Sequence, residues 1–363
     1  MNKPTHIIFT LIFSLFIPHV SAQKPAAQIF VFGDSLVDNG NLEAFTEDPN
    51  IPKRFTNGLL SVDLLARHYG LSLTPSLHLL PNISPNMRGN NYAVAGARSL
   101  DEDGNELTAD TNFPTQINAF LQHYEGTAPS DALYIISIGG NDIRDSGINY
   151  SPAVSFSSFT KRWKQWRKES KRVLNAVESQ VAQIEKLILA GAQNILVMIP
   201  PDLGSIPETK FLSEAAVANA KSRAERRLAQ DLPAVFTGYT LLYDAALILN
   251  LEILGYEQGI RIKTYNMFEA LDKQIHEGNA NENLITDEPC VYAFTQGGLI
   301  NARCDDFPEA SRFLFWDEVH STQPLHTQMA EDMIKLLENG GYVTGGSNVD
   351  TNDENLRKDF ELF

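Results

Sequence analysis

The feature that most constrains this chain is the alternation of short apolar runs with amphipathic helical patterns. Runs rich in β-branched and aromatic residues, bounded by turn formers, occur at 28–32, 91–95, 132–138 and 194–199, with a weaker one at 240–243. Helical patterns lie between them. The longest covers 159–190, where Trp163, Trp166, Val173, Val177, Val181, Ile184 and Ile188 recur on one face. Others fit 59–69, 116–123, 212–232 and 324–337. Such alternation means βαβ units and a parallel sheet covered on both faces. In sheets of this kind ligands sit outside the carboxyl ends of the strands, so the residues just after each apolar run are the ones that carry chemistry.

The two ends of the chain read differently from its body. Residues 1–22 combine Lys3, an apolar run over 7–17 and a small-residue exit at Val20-Ser21-Ala22, the pattern of a secretory signal. The run is too short for a bilayer span, which needs about 20 residues. A secreted, soluble protein is therefore expected. Residues 340–363, glycine-rich and then acidic, predict a poorly ordered tail. No Pro/Gly/Ser linker or internal repeat divides the remainder, so 23–339 is expected to form one domain. Within it, 72–89 reads as an irregular loop around Pro75, Pro81 and Pro85.

The formal net charge is −16. That balance excludes nucleic acid as a partner, because phosphate binding needs a basic face. It also opposes general adsorption to anionic membranes, while leaving local contacts open. Against it stands the basic stretch 161–168, which interleaves Trp163 and Trp166 with lysine and arginine. Two readings are open: an ordinary helix with both rings turned inward, or a membrane-surface contact.

Cys290 and Cys304 are the chain's two cysteines. In an oxidising compartment they can form a disulfide, closing a loop for which chain entropy gives roughly 3 kcal/mol. The loop reads either as a plain staple or as an apolar gate. In a reducing compartment the pair stays as free thiols.

The first strand runs into Gly33-Asp34-Ser35-Leu36, which puts a serine at the turn leaving the sheet. A serine hydroxyl attacks a carbonyl only with a base in reach and donors for the oxyanion. The rest of the chain offers both. Gly96 follows the run at 91–95, Asn141 follows Gly139-Gly140 after the run at 132–138, and Trp316-Asp317-Glu318-Val319-His320 supplies a carboxylate three residues before an imidazole. Asp34 and Asp142 are read as turn-fixing carboxylates. His68, His78, His123, His276 and His326 show no ligand spacing, so no metal or other cofactor is expected, and His326 is read as solvated or at the core edge. No G-x-S-x-G elbow occurs.

Taken together, these blocks resemble the GDSL family of lipases and esterases, also called SGNH hydrolases, over residues 28–337. The resemblance implies a flavodoxin-like three-layer α/β/α sandwich with a mostly parallel central sheet. It also implies a carboxylic ester hydrolase in which Ser35 is the nucleophile, His320 the base and Asp317 its orienter. The oxyanion hole would be formed by the Ser35 and Gly96 amides and the Asn141 side chain. The extended block through Asn41, the Asn91-to-Ala97 string and the late cysteine pair are similar to a bacterial lipolytic branch of secreted phospholipases and glycerophospholipid–cholesterol acyltransferases. Phospholipid or lysophospholipid as substrate and a sterol as acceptor follow from that branch as expectations, and the protein is expected to be monomeric. A carbohydrate acetylesterase or short-chain arylesterase is the alternative. A secreted binding protein that keeps the fold without catalysis ranks behind both.

Overall fold

Three strands are apolar at nearly every position because both of their faces are covered. In the computed structural model, which describes residues 28–340 apart from 49, 81–83, 85–87, 102–110, 156–157, 281–283, 294–296 and 305–309, these are β1 (Ile29–Gly33), β2 (Leu133–Ser137) and β3 (Asn194–Ile199), each buried throughout. The expected signal at 1–22 and the tail beyond Gly340 lie outside the described residues. A fourth strand, β4 (Lys263–Asn266), completes a parallel sheet in the order β1-β2-β3-β4. Register runs from Ile29 opposite Leu133 to Gly33 opposite Ser137, and on from Leu133 opposite Asn194.

The run at 91–95, expected as a strand, falls one bond short of being one. Val31 donates to the Asn90 carbonyl, and Tyr92 and Val94 donate to the carbonyls of Val31 and Gly33. The next bond of such a ladder, from the Gly33 amide, goes instead to the Gln116 side chain at 2.8 Å. That side chain also donates to the Gly33 carbonyl at 2.8 Å, so it occupies the position where the ladder would continue. Counted as a strand on the outer side of β1, this segment gives the flavodoxin order 2-1-3-4-5.

The helices are α1 (Asn41–Thr46), α2 (Ser61–His68), α3 (Phe113–His123), α4 (Gly140–Tyr150), α5 (Phe159–Leu189), α6 (Pro207–Asn219), α7 (Arg223–Gln230), α8 (Leu232–Gln258), α9 (Met267–Ala280) and α10 (Gln323–Asn339). Among them α3, α5 and α8 pack together on one side of the sheet, and α2, α9 and α10 on the other. The aromatic rings of Phe30, Phe32, Tyr92 and Phe120 meet between β1 and α3, with centroids 4.9 to 5.7 Å apart. Beyond the sheet lie short β5 (Ile285–Pro289), β6 (Val291–Tyr292), β7 (Leu299–Ile300) and β8 (Phe313–Phe315). A Cys290–Cys304 disulfide ties this region together and encloses the β6–β7 hairpin.

Several expectations need correction. The run at 240–243 lies inside α8, because Leu232, Phe236, Tyr239, Tyr243, Leu247 and Leu251 are buried at helical spacing and that longer period overrides a four-residue β-like cluster. The single helix expected at 212–232 is two, α6 and α7. Ser222 caps the new helix by accepting from the Glu225 amide, and Glu225 accepts from the amide of Lys221 just before the cap, so the chain restarts there as a separate helix. On α5 the buried face begins at Glu169 and Ser170, and the two tryptophans before it stand outside: Trp163 is 46% and Trp166 44% exposed. The cause is length. α5 has 31 residues and spans about 46 Å, whereas a five-residue strand covers about 17 Å, so the first turns of α5 have no sheet beneath them. His326 is fully buried on α10 rather than solvated. Its Nδ1 accepts from the Ser61 amide, and burial pushes its pKa down to about 3.

Candidate active site

The site is assembled at the carboxyl edge of the sheet from strand ends far apart in sequence. β1 delivers Ser35 through a turn that needs Gly33, since a Cβ there would lie 1.9 Å from the Ser137 carbonyl of β2. The Asp34 amide donates to that carbonyl at 3.0 Å, and the Asp34 carbonyl then accepts from Val37 and Asp38. Asp38 fixes the next stretch of chain. Its carboxylate accepts from the amides of Gly40, Asn41 and Leu42, and from Ala95 at 2.9 Å, which joins the serine turn to the segment ending at Gly96.

Ser35 Oγ lies 2.7 Å from His320 Nε2. The other ring nitrogen, Nδ1, lies 2.7 and 2.8 Å from the two oxygens of Asp317. Asp317 Oδ1 also accepts from the amides of Val319 and His320, so the carboxylate and the ring are held by the same turn after β8. With acceptor oxygens on one side, the geometry favours the proton on Nδ1 and leaves Nε2 to face the serine. The Phe55 ring lies 5.0 Å from the imidazole, centroid to centroid, and limits its tilt.

Gly96 and Asn141 flank the serine turn. Gly96 is left-handed, φ 83°, and half-buried, and Asn141 is half-buried at the start of α4. One hydrogen of the Asn141 amide goes to the Ala97 carbonyl at 2.9 Å, which leaves its second N–H as a donor. Among the described residues the backbone amides of Ser35 and Gly96 donate to no protein acceptor. Three unspent N–H groups beside a nucleophile are what an oxyanion requires.

Asp34 and Asp142 occupy the floor. Burial raises Asp34 to about 7; its bond from the Leu36 amide and the nearby His320 oppose that shift, and Asp142 adds to it. Burial likewise raises Asp142 to about 6, against bonds from the amides of Ser99 and Leu100. Asp142 therefore fixes the loop after Gly96 rather than its own turn.

The cleft holds about 30 Å³ of free volume beside Ser35, Asn141, Arg144, Pro201 and His320. Leu36, Pro201, Ile206 and Val319 are shared with a second apolar cavity of about 30 Å³ that continues to Met267 and Met329. Arg144 is a wall residue that the sequence reading missed, and it is paired with Glu208. Gln116, Asp38 and Phe55 were missed as well. Of these only Asp38, inside the Ser35-to-Asn41 block, had a signal in its spacing.

The chain is 26% identical over 351 residues to GDSL esterase/lipase 7 of Arabidopsis thaliana, covering 88% of this chain and 91% of that one. It is 26% identical over 227 residues to Lipase 1 of Photorhabdus luminescens, covering 62% of this chain and 29% of that protein. Among solved structures, an extracellular lipase from Streptomyces rimosus aligns over 86% of this chain and 99% of its own with 12% identity and a TM-score of 0.38. A family model for GDSL-like lipases and acylhydrolases matches residues 29–333. By that match, which takes in Ser35, Gly96, Asn141 and His320, the chain belongs to the GDSL-like lipase/acylhydrolase family.

Proposed function

We propose that this protein is an exported hydrolase of lipid acyl esters that works through an acyl-enzyme on Ser35. His320 Nε2 takes the hydroxyl proton as Oγ bonds to the ester carbonyl carbon, while Asp317 holds the ring and offsets its new charge. The carbonyl oxygen becomes an oxyanion, received by the Ser35 and Gly96 amides and the Asn141 side chain. Collapse breaks the ester C–O bond, and the imidazolium returns its proton to the leaving alcohol. Water, activated by the same base, then releases the fatty acid. A sterol hydroxyl in place of water gives acyl transfer with no change in the machinery.

The observation that carries this reading is the hydrogen-bonded chain from Ser35 through His320 to Asp317, opening into a cleft whose far wall is apolar and continuous with the Met267–Met329 cavity. Methionine is adaptable, which suits a cavity that widens around an acyl chain. Phospholipid or lysophospholipid is the substrate class proposed, in keeping with the resemblance to secreted phospholipases. The Cys290–Cys304 disulfide and the signal-like start support export. The small free volume, about 30 Å³, favours a second reading: an esterase for acetyl or other short acyl groups.

Product analysis on phospholipid and lysophospholipid, with and without cholesterol, separates these readings. Fatty acid release is expected, falling by about 10⁴-fold or more in Ser35→Ala. A steep preference for acetyl over long-chain esters would overturn the lipid reading in favour of the second.

A further inference from the structure

The exposed aromatic and basic residues of α5 stand beyond the same edge of the sheet as the site. Gln180 of α5 accepts from the Tyr243 hydroxyl at 2.6 Å, and that hydroxyl lies against Ser99 and Gly139, just past the end of β2. Gln180 is therefore level with the carboxyl edge. Because α5 leads into the amino end of β3, its earlier residues stand beyond that edge, on the side where Ser35 sits. At 1.5 Å per residue, Trp166 and Trp163 project about 21 and 26 Å past it.

At that height the helix presents apolar rings to solvent. Phe159 is 72% exposed, with Trp163 and Trp166 nearly half exposed, and the Arg167 guanidinium lies 4.8 Å from the Trp163 ring centroid. The neighbouring α7 adds charge. Arg162 of α5 and Arg223 and Arg227 of α7 line one groove of about 840 Å³, which adjoins a second of about 610 Å³ lined by Lys221 and Arg226. Residues 161–171 and 221–227 hold 10 of the chain's 29 lysines and arginines and only two of its 45 acidic residues. A protein of net charge −16 thus carries one strongly basic pole, and that pole carries exposed tryptophan.

We infer that this pole is an anchor for anionic phospholipid surfaces: the rings of Phe159, Trp163 and Trp166 enter the headgroup layer, and the cations of α5 and α7 meet lipid phosphates. An acidic polypeptide would use the charge but leaves the exposed rings without a partner; a lipid surface uses both. The inference deepens the lipid-substrate reading and draws its purpose from it, since the anchor would set the carboxyl edge towards the bilayer.

The test reads binding without turnover. Full-length Ser35→Ala is sedimented with vesicles of phosphatidylcholine alone or mixed with phosphatidylglycerol. Expected are at least about tenfold tighter association with the anionic vesicles, its loss in about 0.5 M salt, and a blue shift of tryptophan emission. Trp163→Ala/Trp166→Ala and Arg223→Gln/Arg226→Gln/Arg227→Gln, added to Ser35→Ala, should each weaken association by about tenfold or more. Their circular dichroism and melting confirm the fold, and the salt series on the unaltered pole stands alone if a variant does not fold. Equal partitioning onto neutral and anionic vesicles, or retention of single-stranded DNA or an acidic protein with no vesicle binding, overturns the inference. Anionic binding by a wild type that leaves lipid esters intact would instead overturn the lipid-hydrolase reading and leave the anchor standing.

Discussion

The carboxyl rim of the sheet and the basic pole of α5 and α7 are built on opposite terms. At the rim, polar side chains are buried and tied down: Asp38 accepts four amides, and Asn91 bonds the Val37 carbonyl, the Asn39 side chain and the Ala93 amide. At the pole, large apolar rings and charged heads face solvent together. The contrast teaches where geometry is enforced. Buried polar groups must find partners, so the rim admits few alternatives; exposed ones need none, so the pole is free to be shaped by what it meets.

The sharpest way to break this comparison is at the rim. On the proposed mechanism Asn141→Ala removes one oxyanion donor and should lower kcat by about 10²- to 10³-fold with little change in KM. Steady-state kinetics on a soluble ester checks it, and a loss confined to KM would place Asn141 outside the transition state.

A smaller effect lies beneath the serine. Asp34 rises from 3.8 to about 7 in the folded protein, so the native state holds a proton that the unfolded chain gives up. Its contribution to stability is full below about pH 4 and is lost as pH rises through about 7. Urea denaturation at pH 5 and pH 8 should show wild type losing about 2 to 3 kcal/mol more than Asp34→Asn over that interval. Equal losses would mean that Asp34 does not titrate there.

The smallest effect is expected at the pole. Trp163→Ala/Trp166→Ala should cost about 1 to 2 kcal/mol of stability, because each ring keeps nearly half its surface in solvent and lies away from the core. A cost of several kcal/mol in the same urea assay would show both rings to be core residues after all.

Much of the sheet was legible because central parallel strands are apolar on both faces, as at 133–137 and 194–199. Where legibility failed, the cause was an interaction distant in sequence. Gln116 took the bond that would have made 91–95 a strand, and nothing near Gly33 announces it. β4, Lys-Thr-Tyr-Asn, is a half-buried edge without an apolar run, and it went unseen. The Trp pair failed for a different reason. Its spacing matches an inward face, but periodicity cannot tell how far a helix outruns the sheet it covers. In the site, Ser35, Gly96 and Asn141 stood out because each follows an apolar run, and His320 because a carboxylate stands three residues before it. Arg144 and Phe55 belong to no such block, and only packing brings them there.

Ser35 and His320 stand 285 positions apart in the chain. On the proposed reading, a chain in which the turn after β8 has not yet packed against the turn after β1 would carry the serine with no base beside it, so reactivity would arrive only with the finished fold.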